Sequence, residues 1–275
     1  MFPNLVHLSL MRSLKSRFSM IALIILLVMA LYFLIFSLAL ERGGILGFDS
    51  GMAKEIYDVA FANRGMYFQQ GRAFSFIDSW IDLLLMMNTI FVVCDYYKFN
   101  LRVNLEGAVQ EKYKFVLADI SALCILSFIF SILNSITLFS GILLGETNVL
   151  LLDHPLRALM MCIANALNIF CSVIEAYAIA QLFRSKILSA IVIIVEGLVA
   201  GLLDIHITEM MSNASNGTEK IYTGIVHSTF MMSEMASGSE TMDNFILRIA
   251  LISITVKILI ASILSLVFYM WRREK

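Results

Sequence analysis

The chain has 275 residues, is 60% hydrophobic, has a mean hydropathy of +0.85 and a net charge of −1. A water-soluble domain is only about 45–50% apolar, so composition excludes that class. The charge points to no class of partner, and a nucleic acid is not among those expected. With only two prolines and 14 glycines, long helices are allowed, and the unbroken apolar runs exclude a β-barrel, whose strands alternate polar and apolar residues.

The chain opens on Phe2–Phe18, where Phe2, Val6, Leu10 and Leu14 recur every four residues and Arg12, Lys15 and Arg17 sit elsewhere on the wheel. That spacing predicts an interfacial amphipathic helix over residues 1–18, lying on a leaflet with its basic side chains toward anionic headgroups. Six apolar runs follow, each of at least the roughly 20 residues that cross a hydrocarbon core. They lie at about 20–40, 74–94, 115–144, 156–183, 187–207 and 245–271. The expected fold is therefore an all-α polytopic membrane protein, a single transmembrane domain over residues 1–275 with six transmembrane helices. The first run is longer than the 7–15 residue core of a signal peptide, so it reads as a retained helix.

Lys and Arg placement sets the expected orientation. Arg12, Lys15, Arg17, Lys98, Arg102, Lys112, Lys114, Arg184, Lys186, Arg272, Arg273 and Lys275 fall on one side. Arg42, Lys54, Arg64, Arg72, Arg157 and Lys220 fall on the other, spread over far more residues. The dense side is the cytoplasm, and an even number of crossings puts both termini there. The loop 208–244 is then extracellular, with an apolar, Met-rich centre (Ile221–Met235) suited to capping an exit path. No cysteine lies in an outside loop, so no disulfide framework is expected.

Ionisable groups inside the runs are costly, about 2.5–3.5 kcal/mol for a central Lys, and default to functional hypotheses. Asp78, Asp82, Asp204 and Arg248 lie near the outer ends, where water is close. Lys257 lies about 21 Å above the inner boundary, and Glu175 and Glu196 about 14–15 Å above it, at 1.5 Å per residue. A flexible Lys spans that difference, so the three read as an intramembrane charge cluster. It suits either an ion pair between helices or a polar patch on a transport path. Gly197 and Gly201 form a small-xxx-small pair that permits close helix approach, within the chain or across a dimer. Trp80, Tyr269 and Trp271 sit where an aromatic belt is expected.

The chain carries no Gly-x-x-x-x-Gly-Lys-Ser/Thr, His-Glu-x-x-His or Gly-x-Ser-x-Gly, and no cysteine pair at metal spacing. No catalytic, cofactor-binding or metal-binding residue is assigned, and the chain is not expected to be an enzyme.

The cytoplasmic loop 95–114 is too charged to cross a membrane and too aromatic for a plain linker. Asp95 closes the second run, Lys98-Phe-Asn-Leu-Arg-Val-Asn-Leu105 follows as a possible short helix, Gly107 ends it, and Lys112 and Lys114 lead into the third run. This stretch, with the six runs, the N-terminal helix, the three-residue fourth loop and the long fifth one, resembles type-2 ABC transporter permeases. It departs from that family's pattern at Gln110-Glu111-Lys112, where the family usually has Ser-Arg. The resemblance implies the membrane subunit of an ATP-driven exporter in the plasma membrane of a bacterium, with a separate ABC ATPase subunit that holds the ATP and Mg, and a second permease copy or homologue. It makes loop 95–114 the coupling element, with Phe99 and Leu101 as apolar anchors, Arg102 and Glu106 at the rim, and Leu105 among the coupling residues. Apolar loops and the lack of a large outside domain suit a hydrophobic or amphipathic cargo, a peptide, antimicrobial or drug. The readings from other classes are a non-transporting scaffold or sensor, and a secondary transporter or channel. Unequal halves count against an inverted repeat.

Overall fold

The computed structural model describes residues 2–41, 72–98, 113–143, 155–196, 198 and 244–271, and these are all-helical. In chain order the helices are α1 (Phe2–Leu14), α2 (Arg17–Glu41), α3 (Arg72–Lys98), α4 (Tyr113–Leu143), α5 (Pro155–Phe183), α6 (186–196) and α7 (Asn244–Trp271). The boundaries follow the apolar runs to within a few residues. The part of the fifth run beyond residue 198, and the loops 99–112 and 208–243, lie outside the described residues.

Helix ends are set by local chemistry. The Ser16 Oγ accepts the Ser19 N–H at 3.2 Å and caps the start of α2. Ser185 does the same for α6 through the Leu188 N–H at 3.5 Å. α5 ends where Arg184 turns to φ 53°, a left-handed conformation that costs a non-glycine residue about 1–2 kcal/mol.

α5 is the hub, packed against α3, α4 and α7. Ala166, Ala176, Ala178 and Ala180 keep its surface narrow, so its neighbours approach closely around Ile169, Val173, Ile174 and Tyr177. α4 buries Phe115, Ala122, Leu126 and Phe130 along one stripe and packs on α1, α2 and α5. Among its described side chains α7 buries Ile254, Ala261, Ser265 and Tyr269, and its other faces expose Ile252, Leu259, Ile263 and Val267. That outer surface is as apolar as the interior, which suits a lipid solvent.

Three stretches are long and apolar enough to cross a membrane among the described residues: Tyr113–Asn134, Ala166–Phe183 and Ile254–Trp271. Arg17–Val28 is a shorter apolar stretch. Hydroxyls inside these helices bond their own backbone four residues back, as Ser127 does to the Leu123 carbonyl and Ser265 to that of Ala261, which satisfies them without a partner helix.

Two sequence expectations need correction. α1 does not turn its basic residues outward as a set: Lys15 is exposed, but the Arg12 guanidinium lies 4.9 Å from the centre of the Tyr96 ring. Its most buried positions are Ser9 and Ser13, not the Phe2 stripe, because α1 packs on α4 and faces polar groups there. Tyr269 is buried in the core rather than placed in an aromatic belt, while Trp271 is exposed.

Candidate functional site

One end of the bundle collects a set of buried polar contacts among the described residues. The α1–α2 junction, the end of α3, the start of α4, the end of α5 and the start of α6 all meet there. Asp119, one turn and a half into α4, accepts the Ser9 hydroxyl at 2.7 Å and the Tyr177 hydroxyl at 2.9 Å. It thus joins α1, α4 and α5 through one carboxylate. A buried carboxyl is tolerable only with such donors. Asn88 on α3 donates to the Ser13 carbonyl at 3.2 Å and the Ser19 hydroxyl at 2.9 Å, which fixes the α1–α2 junction against α3. The Phe18 and Phe91 rings, 4.9 Å apart, pack the same junction.

The last turns of α3 carry a row of contacts to α5 and α6. The Tyr97 hydroxyl donates to the Gln181 Oε1, and the Arg184 guanidinium lies 4.2 Å above the Tyr97 ring. Lys186 Nζ sits 2.6 Å from an Asp95 carboxylate oxygen and 4.7 Å from the Phe91 ring centre. The Tyr96 ring meets that of Phe115 edge-on at 6.5 Å, joining the end of α3 to the start of α4.

A second polar group lies midway along α5. Asn168 donates to Asp82 of α3 at 3.2 Å, and the Cys171 thiol lies 3.6 Å from the Glu175 Oε1. Lys257 of α7 and Glu196 of α6 are both close enough for their charges to act on the Glu175 carboxyl. Asp82, expected near water, is instead buried against α5.

Of the sequence-assigned residues, Glu196 and Lys257 are each brought within electrostatic range of Glu175, which is half-buried, while Glu196 is exposed. Phe99, Leu101, Arg102, Leu105, Glu106, Gly197 and Gly201 lie outside the described residues. Sequence reasoning missed Asp119, Ser9, Tyr177 and Gln181. Asp119 carried a usable signal, an acid inside an apolar run. The partners of Asp119 are hydroxyls and a phenol, which composition does not distinguish from ordinary helix residues. No metal-binding group of His, Cys, Asp and Glu occurs among the described residues.

No family model, curated protein or solved structure matches this chain.

Proposed function

We propose that the chain is the membrane subunit of an ATP-driven exporter, with six crossings, both termini in the cytoplasm, and residues 95–114 as the element that meets a separate ATPase. The observation that carries this reading is the placement of that segment's two flanks. Both enter the polar end of the bundle, and Arg12, Lys15, Arg17, Arg184 and Lys186 cluster in the elements at that end. Dense Lys and Arg mark a cytoplasmic side, and only a cytoplasmic protrusion can be reached by a soluble ATPase. The fourth loop has two residues between helices, too short to dock anything. Loop 95–114 is the remaining internal candidate, and its resemblance to the type-2 permease loop agrees.

In this reading Phe99, Leu101 and Leu105 fill a cleft of the ATPase, and Arg102 and Glu106 set its register at the rim. Apolar anchors carry most of such an interface. The cargo is hydrophobic or amphipathic, with peptides and drugs favoured by the apolar loops. Glu175, Glu196 and Lys257 supply a polar patch along its path or an ion pair that fixes α5, α6 and α7. In sequence, Gly197 and Gly201 keep the small-xxx-small spacing that would let a second copy approach. The test is Phe99→Ala with Leu101→Ala in tagged protein purified from its native membrane. The reading expects an ATPase with Walker motifs to co-purify with the parent chain, and at least tenfold less of it with the double variant at equal membrane insertion. Equal ATPase capture by both would sink it.

A further inference from the structure

The two flanks of the 99–112 segment do not end on separate supports. On the α3 side, Asp95 and Tyr97 are held by Lys186, Gln181 and Arg184. On the α4 side, Asp119 is held by Tyr177. All four holding residues lie within residues 177–186, the last turns of α5 and its turn into α6. Tyr177 and Gln181, four residues apart, share one face of α5, and Arg184 follows just past its end. Arg184, whose backbone takes the left-handed conformation (φ 53°), places its guanidinium over the Tyr97 ring. Tyr96 against Phe115 ties the two flanks directly to each other.

We propose that residues 177–186 are a common anchor for both flanks, so that the end of α3, the start of α4 and the end of α5 move as one body. Resting on the coupling reading above, this makes Tyr177, Gln181, Arg184 and Lys186 positioning residues. A push delivered to loop 99–112 reaches α5 through them. α5 carries it to Asn168, Cys171 and Glu175, the polar group that faces Asp82 on α3 and Lys257 on α7. Packed helices shift as units rather than bend, so an anchor at one end moves the middle of α5 as well. α1 shares in the anchor through Ser9 on Asp119.

Two arms test this, and they separate the anchor from the function. The first uses the purified chain alone in lipid nanodiscs and measures amide hydrogen exchange by mass spectrometry. Tyr97→Phe removes one hydroxyl and keeps the ring. A common anchor predicts at least threefold faster exchange in peptides covering 177–186 and 113–120 as well as around residue 97. Gln181→Met, made separately, gives the same pattern. Acceleration confined to the α3 peptide in both variants overturns the anchor. The second arm uses the chain with its co-purified ATPase and adds ATP with vanadate. The parent and Lys186→Arg show a change in exchange over 168–176, while Lys186→Met loses it with the ATPase still bound and hydrolysing. A full response from Lys186→Met shows that α5 is not reached through this turn. Failure to capture any ATPase defeats the coupling reading alone, since the first arm decides the anchor without one.

Discussion

Asp119 is the residue on which most of the polar end depends. Its two oxygens take hydroxyls from different helices, Ser9 and Tyr177, so removing either donor takes one hydrogen bond from a buried carboxylate. Ser9→Ala is expected to cost about 1–2 kcal/mol, read as a lower midpoint of thermal unfolding in detergent. In an Asp119→Ala background the same change is expected to cost little, because the acceptor is gone, and additive losses would contradict the bond. The Glu175 group gives a second prediction. Lys257→Met alone strips a compensating charge from a half-buried carboxyl. Lys257→Met with Glu175→Gln should recover most of the lost thermal stability, and the same pairing with Glu196→Gln, an exposed residue, should recover less. No coupling at either acid would remove the charge cluster from the account.

At the scale of elements, the sequence located helices well and faces poorly. A run such as Tyr113–Asn134 is legible because membrane-length apolarity has few other causes. Which side of it faces protein is not legible, since lipid and core are equally apolar and both accept Leu, Ile and Phe. α1 shows the consequence. Its apolar residues suggested a surface helix held by the Phe2, Val6, Leu10 and Leu14 stripe, yet Ser9 and Ser13 are the buried positions. Small polar residues mark the contact because they let α1 approach α4 and bond Asp119. The same logic hid Tyr177 and Gln181, whose partners lie 58 and 84 residues away. The element-level prediction is steric. Ser13→Leu puts a large side chain into a site that is 3% exposed, and overpacking of that kind costs about 1–3 kcal/mol. Phe2→Ser, on the exposed part of α1, should change thermal stability by no more than about 0.5 kcal/mol.

For the whole molecule the account rests on which side of the membrane the polar end occupies. The α1–α2 junction, the ends of α3 and α5 and the starts of α4 and α6 come together at one end, joined by the contacts of Asn88, Asp95, Tyr97 and Asp119. If that end is cytoplasmic, a soluble ATPase can reach the segment that leaves it, and the anchor on α5 has a force to carry. If it faces outward, neither holds. Ser185 stands in the turn between α5 and α6 at this end, and Ser50 and Ser215 lie in the loops assigned to the opposite side. Single cysteines introduced at these positions in a chain lacking Cys94, Cys124, Cys162 and Cys171, exposed to a membrane-impermeant maleimide on intact cells, decide the matter. The account predicts that Ser50→Cys and Ser215→Cys label from outside and that Ser185→Cys labels only after the membrane is permeabilised. Labelling of Ser185→Cys in intact cells would place the polar end outside and contradict the assignment of residues 95–114 to an ATPase.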